Sequence, residues 1–307
     1  TYKWSDLLLV SSRKLPGPAM WAFYQWVRKS VADNKSWDRV ARELLTATGS
    51  TLENGAANYF VLHKDVTELN ETTSVTMLGM SITCCRCHNH PLEKWTQDQY
   101  YGMANLFSRV TMKNGERGGD LVVFASSIGD IPHPRTGQPM PPRPLDSDAM
   151  PPGAAGDRRQ FFADWLTKPD NPYFARALVN RVWANFLGRG LVDPEDDLRL
   201  TNPASNEELF TALAMDFATG IPPALRGEGR SEAAAATGAF DIKRLIRTIM
   251  NSATYQRSSN PLPENVADDR YYSHYLVRRL AAEVALDAYS QVTGVPTPFT
   301  QVRSNAG

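Results

Sequence analysis

Residues 84–95 have the sequence CCRCHNHPLEKW, in which Cys84, Cys87 and His88 form a complete C-x-x-C-H motif. Two thiols at this spacing can each add across one vinyl group of a haem, and the following histidine supplies a ligand to the iron. The chain has 3 cysteines and 5 histidines in 307 residues. A chance motif then has a probability on the order of 10⁻³. The motif predicts one covalently attached c-type haem, with Cys84 and Cys87 as thioether positions and His88 as the proximal ligand.

Two other interpretations of the same residues stay open. Cys84, Cys87, His88 and His90 offer four ligands for Zn²⁺ or another metal ion, although such sites normally draw their ligands from two separated pairs. The third interpretation is structural, with a Cys84–Cys87 disulfide or simple buried thiols. Cys85 forms only C-x-C with Cys87 and cannot replace Cys84 in the haem motif, so we expect it to be a small buried residue.

A six-coordinate haem needs a second axial ligand. His133 and Met140 are the leading candidates because both lie in proline-rich segments that could fold over a haem face. Met77 and Met80 precede the motif and are expected to pack beside the ring. The remaining alternatives are His63, His274 and an open position. His90 follows His88 too closely to reach the opposite face of one iron, so it is assigned to a local hydrogen bond or a metal.

Both flanks of the motif show helical periodicity. Apolar residues recur at helical spacing over 19–31 and 38–47, and a third helix over about 71–82 is expected to lead into the cysteines. Thr96 is the expected N-cap of a helix that continues to residue 107. Further helices are predicted over residues 157–168, 173–186, 206–217, 241–252 and 275–293.

Residues 110–124 predict a β-hairpin, because apolar arms flank Asn114-Gly115 and Gly118-Gly119. The proline- and glycine-rich residues 137–156 predict a linker or an extended surface loop. The expected fold is therefore mainly α, with two helical modules, residues 1–136 and 157–307, and one small antiparallel β-hairpin. Residues 219–238 predict a flexible insertion between two helices of the second module.

Composition restricts the partners and the location. Thirty-three basic residues balance thirty-three acidic ones, which gives no electrostatic reason to expect nucleic acid or an anionic membrane surface. The apolar runs are too short for a membrane span. All three cysteines lie within four residues, so they serve one local site. Thioether attachment of haem is normally completed outside the cytoplasm, so we expect a periplasmic or secreted protein whose Thr1 is an internal or processed start.

The chain resembles the planctomycete cytochrome c-like domain family, followed by that family's usual partner domain of unknown function. The first resemblance is carried by residues 43–50, 84–95 and 98–101. The second begins at residues 133–137 and continues through residues 165–167, 170–172, 180–183, 188–192, 196–197, 252–256 and 279–283.

The resemblance implies a secreted protein of bacteria that degrade complex polysaccharides, and it implies a redox partner protein or cytochrome domain. The expected function is an extracytoplasmic monohaem protein that transfers electrons, with polysaccharide processing as the implied setting. The alternative is a metal-dependent enzyme or carbohydrate-binding protein with a Cys/His metal site. The sequence contains no G-x-S-x-G, P-loop, H-E-x-x-H or dinucleotide fingerprint, so it identifies no catalytic residue. Residues after Gly294 match weakly, and we expect the natural protein to continue past Gly307.

Overall fold

The computed structural model describes residues 1–63, 65–154, 156–221 and 238–298, and these ranges are mainly α-helical, as predicted. The α-helices in these ranges are α1 Tyr2–Leu7, α2 Gly17–Ala32, α3 Trp37–Leu45, α4 Asn58–Leu62, α5 Val66–Thr73, α6 Gln97–Ala104, α7 Arg158–Leu166, α8 Phe174–Leu187, α9 Glu207–Thr219, α10 Ile242–Met250 and α11 Ala282–Thr293. Within the same part of the chain, no helix is both long enough and apolar enough to cross a membrane.

The helix that leads toward the cysteines differs from the predicted range of 71–82. It begins earlier, at Val66, because the Asp65 carboxylate accepts hydrogen bonds from the backbone amides of the first turn and caps it. After Thr73 the chain widens into a π-helical turn, Ser74–Leu78. Arg181 of α8 donates hydrogen bonds to the carbonyl oxygens of Val75 and Thr76, at 2.5 and 3.0 Å. This guanidinium satisfies carbonyls in the π-turn, which is a tertiary effect that helical periodicity does not encode.

The predicted hairpin is confirmed, and it belongs to a small antiparallel sheet with the strand order β1-β3-β2. Strands β2 Val110–Asn114 and β3 Leu121–Ala125 form the hairpin, and β1 Gly49–Ser50 adds to the free edge of β3. The third strand was not predicted. It is held by the Asp120 carboxylate, which accepts hydrogen bonds from the hydroxyls of Ser50 and Thr51 at 2.8 and 3.1 Å.

In the second half, α7 to α10 agree with the predicted helices within a few residues at each end, and the predicted helix over 275–293 is wrong for its first part. The observed helix begins only at Ala282. The Tyr275 backbone amide donates a hydrogen bond to the carbonyl of Ser258, and its hydroxyl donates one to the carbonyl of Phe186. These tertiary hydrogen bonds hold Tyr275 outside a helix. Most of the predicted insertion, residues 222–237, lies outside the described residues.

Buried side chains from both halves of the chain form one hydrophobic cluster. Phe107 and Phe162 meet edge to face with ring centroids 5.3 Å apart. Arg159, fully buried, pairs with Asp157 and donates a hydrogen bond to the carbonyl of Ala47 at 2.9 Å. The segment predicted as a linker also contacts this body, since the Arg143 backbone amide donates to the carbonyl of Gly102. This packing fixes the position of the cysteine motif relative to the helices after residue 157.

Candidate functional site

The cysteine motif begins on a short 3₁₀ turn, Thr83–Arg86, at the protein surface, and Cys87 directly follows this turn as its C-cap. A 3₁₀ turn has about three residues per turn, so side chains three positions apart lie on the same side. Cys84 and Cys87 have this separation, and both are exposed with free thiols. The backbone amides of Cys87 and His88 each donate to the Cys84 carbonyl at 3.3 Å, which closes the turn. Residues 83–88 are called the cysteine turn below.

Cys85 lies on the opposite, inward side of the turn. Its side chain is completely buried, and its thiol donates a hydrogen bond to the Trp95 carbonyl at 3.5 Å. Burial raises the pKa of the Cys85 thiol to about 11, so this thiol stays protonated and unreactive at neutral pH. The prediction of a small buried residue at position 85 is confirmed.

His88 is exposed, and its ring nitrogens have different surroundings. Nδ1 lies 2.7 Å from the backbone carbonyl oxygen of Asn89. A carbonyl oxygen only accepts hydrogen bonds, so Nδ1 carries the proton in the neutral imidazole. Nε2 then holds the lone pair, and no group in the described part of the chain forms a hydrogen bond with it. His88 is therefore held in the tautomer that a metal ligand requires at Nε2.

His90 serves the loop that follows the turn. Its Nδ1 accepts hydrogen bonds from the backbone amides of Leu92 and Glu93, at 3.2 and 3.1 Å. Its own backbone amide donates to the Trp95 carbonyl at 2.8 Å. Only Nε2 of His90 remains for other partners. Across the described residues, no three side chains of His, Cys, Asp or Glu converge on a point where a metal ion could bind.

The beginning of α6 anchors the cysteine turn, and the sequence identified only part of this support. Thr96 and Gln99 form the capping box expected at the N-terminus of α6. The Gln97 side-chain amide and the Tyr101 hydroxyl both donate to the Arg86 carbonyl, at 3.0 and 3.2 Å. The Asn89 side chain accepts from the backbone amide of Gln97 at 2.9 Å. The only sequence signal for these contacts is the closeness of the α6 cap to the motif.

The two candidates for a second axial ligand have contacts of their own in the fold. His133 is completely buried; its Nδ1 accepts from the Arg135 amide, and its Nε2 lies 3.2 Å from the Asp98 carboxylate. Its ring contacts that of Tyr101, which lies between His133 and the turn. Met140 is partly buried and packs against the core. Among the described residues, neither forms a hydrogen bond or ring contact with Cys84, Cys87 or His88.

The other candidates lie in the core or in the second half of the chain. Met77 and Met80 are buried, and Met80 reaches the wall of the cleft described next. His63 is buried 3.7 Å from Glu68 and stacks edge to face with Tyr59. His274 is partly buried in the second half.

A cleft of about 570 Å³ opens beside the cysteine turn, between the loop after the turn and the α8–α9 loop, residues 188–206. The Glu93 carboxylate accepts hydrogen bonds from the Thr201 hydroxyl and backbone amide, at 2.6 and 3.2 Å, and so joins the two loops. The side chains that line it include Met80, Glu93, Lys94, Trp95, Asp146, Tyr173, Arg176, Leu198, Arg199, Leu200 and Glu207.

Arg199 lines this cleft. It forms an ion pair with Asp197, in which Nη2 donates to the carboxylate at 2.7 Å. The pKa of Arg199 lies above its ordinary value, chiefly because of the hydrogen bond with Asp197; burial lowers it, and the charges of Asp197 and Glu93 raise it further. Arg189 pairs instead with Asp193 and Asp269.

Family models match both parts of the chain. Residues 1–112, which contain the cysteine turn, match PSCyt2, a protein of unknown function (DUF1549). Residues 158–304 match PSD1, a protein of unknown function (DUF1553). The chain is therefore similar to PSCyt2 in its first part and to PSD1 in its second part, and neither match spans half of the 307 residues. The Glu93–Thr201 contact therefore joins the two regions beside the cleft. No curated protein and no solved structure matches the chain.

Proposed function

We propose that this protein carries one covalent c-type haem on Cys84, Cys87 and His88 and transfers electrons outside the cytoplasm. The observation that carries the proposal is the exposure of Cys84 and Cys87, three positions apart at a 3₁₀ turn. They directly precede a histidine whose Nε2 has no hydrogen-bond partner among the described residues. When bound, the haem would supply a one-electron couple between iron(III) and iron(II).

The residues fit this group in three respects. Each exposed thiol can add to a vinyl group, with its sulfur bonded to one vinyl carbon and its hydrogen transferred to the other, so no oxidant is needed. The Asn89 carbonyl holds the proton of His88 on Nδ1, which leaves the Nε2 lone pair for iron. Cys85 cannot compete with Cys84 and Cys87 for a vinyl group, because its thiol is buried and donates a hydrogen bond to the Trp95 carbonyl.

The proposal extends to location and partners. Thioether attachment is consistent with a periplasmic or secreted protein. The exposed turn leaves the site accessible to a redox partner protein or cytochrome domain. Polysaccharide processing is the setting that the sequence resemblance implies. A Cys/His metal site is the competing proposal, but among the described residues no three side chains of His, Cys, Asp or Glu converge on a point where a metal ion could bind.

Haem content after expression with cytochrome c maturation machinery tests the proposal. We expect wild type and Cys85→Ser to show an intense Soret band and a pyridine haemochrome spectrum of two thioethers. Cys84→Ser and Cys87→Ser should each show the shifted spectrum of a single thioether or lose the haem, and His88→Ala should change the axial-ligand spectrum. Bound zinc in wild type, lost in the same variants and without a Soret band, would contradict haem and support the metal site.

A further inference from the structure

Two exposed leucines lie beside the cysteine turn on the two loops that Glu93 and Thr201 join. Leu92 precedes Glu93 and is 67% exposed, and Leu200 precedes Thr201 and is 80% exposed. The hydrogen bonds from Thr201 to the Glu93 carboxylate hold these chain positions close together. Large apolar side chains that are solvated on both of two adjoining loops mark a surface suited to an apolar partner.

Arg199, which precedes Leu200 and lines the same cleft, is a cation with unused hydrogen-bond donors. Asp197 occupies the Nε and Nη2 edge of Arg199. The Nη1 group has no hydrogen-bond partner in the described part of the chain. A guanidinium has five N–H donors and binds carboxylates well, so this free side can pair with a second carboxylate.

We infer that Leu92, Leu200 and Arg199 form part of the binding surface for the haem attached to Cys84 and Cys87. The two leucines contact the porphyrin ring, and Arg199 forms an ion pair with a haem propionate. This inference rests on the proposed function. The neighbouring cleft of about 570 Å³ is within the range of roughly 300–1,000 Å³ common for small-molecule and cofactor sites. Both matched regions would then contribute to the haem-binding surface. Leu92 lies in the region that matches PSCyt2, and Leu200 and Arg199 lie in the region that matches PSD1.

The haem would then have a contribution from each of the two regions that meet beside the cysteine turn. The PSCyt2 region supplies the covalent attachment and the proximal histidine. The PSD1 region supplies apolar cover and a positive charge, which together set the polarity around the iron. Positive charge near the iron favours the reduced state because reduction adds a negative charge, whereas water access favours the oxidised state.

The test uses the haem-loaded 307-residue chain and compares Leu200→Ser with Leu262→Ser, and Arg199→Gln with Arg247→Gln. The control leucine is similarly exposed, at 63%, and Arg247 is an exposed residue of α10. The readouts are the reduction potential and the circular dichroism of the Soret band. We expect Leu200→Ser and Arg199→Gln each to lower the reduction potential. At a fixed solution potential, the ratio of reduced to oxidised protein should then fall about threefold. Both variants should also change the circular dichroism of the Soret band. Both controls should match wild type.

Two failures are distinguishable. If the denatured protein carries the mass of one haem and both variants behave like their controls, the proposed haem-binding surface is wrong, whereas the covalent attachment is supported. If no haem is attached after maturation, the proposed function fails and this inference fails with it.

Discussion

The Glu93 carboxylate accepts two hydrogen bonds from Thr201, at 2.6 Å from the hydroxyl and 3.2 Å from the backbone amide, across 108 positions of the chain. Burial raises the pKa of Glu93, but the hydrogen bonds from Thr201 and from the Leu200 backbone outweigh it, so the pKa is below its usual value. One carboxylate therefore ties the loop after the cysteine turn to the α8–α9 loop.

Thr201→Val removes the hydroxyl and keeps the shape of the side chain. We expect it to lower the free energy of unfolding by about 1 kcal/mol, because one partly exposed hydrogen bond to a carboxylate is lost. Thr248→Val is the matched control, since that hydroxyl only bonds back to its own helix. Urea denaturation measures both. Equal stability of the two variants would mean that Thr201 does not hold the loops together.

Thiol reactivity separates the three cysteines. In haem-free native protein we expect Cys84 and Cys87 to react with iodoacetamide, while Cys85 reacts only after denaturation. The reason is that Cys85 is fully buried and its pKa is raised to about 11. Intact mass after labelling should show two adducts in buffer and three in denaturant. Labelling of Cys85 at the same rate as its neighbours would contradict the inward orientation of this thiol.

Asp157→Asn should be strongly destabilising although it changes only one charge. Arg159 is completely buried, and its guanidinium is compensated by Asp157. Asparagine still caps α7, so the loss reports mainly the uncompensated buried cation, about 3 kcal/mol or more. Asp170→Asn, at an exposed position, is the control. A loss below about 1 kcal/mol in urea denaturation would show that the pair contributes no more than a surface ion pair.

Stability should fall on mild acidification because of His63. Burial lowers the pKa of His63 below 6.5, an effect that the charge of Glu68 only partly offsets. The unfolded chain then binds more protons than the native protein once the pH falls below about 6.5, so the free energy of unfolding decreases with falling pH from that point. We expect His63→Phe to flatten this dependence below pH 6.5. An unchanged slope in the variant would assign the pH dependence to other groups.

The local parts of the fold were predictable, and the tertiary partners were not. The capping box of Thr96 and Gln99, the hairpin around residues 114–119 and the buried Cys85 follow from short-range patterns. The early start of α5 was missed although Asp65 and Glu68 carry a capping pattern. The π-turn depends on Arg181, which lies more than 100 positions later, and no local pattern encodes such a partner.

The candidate site divides in the same way. The C-x-x-C-H spacing identified Cys84, Cys87 and His88, but it contained no information on the Asn89 carbonyl that sets the His88 tautomer. His133 and Met140 were chosen for their position in proline-rich segments. Neither residue bonds to the cysteine turn in the described chain, and their role as second axial ligand stays a prediction. Arg199 and Leu200 were beyond local reasoning because the fold brings them to the cleft that Glu93, Lys94 and Trp95 also line.

The most direct test of the central claim is the intact mass of the denatured protein, produced with cytochrome c maturation machinery. Covalent attachment at Cys84 and Cys87 predicts a mass increase of one haem that survives denaturation, accompanied by a Soret band in the native protein. An unmodified mass without a Soret band, while a control cytochrome matures in the same cells, would contradict the claim that the cysteine turn binds haem.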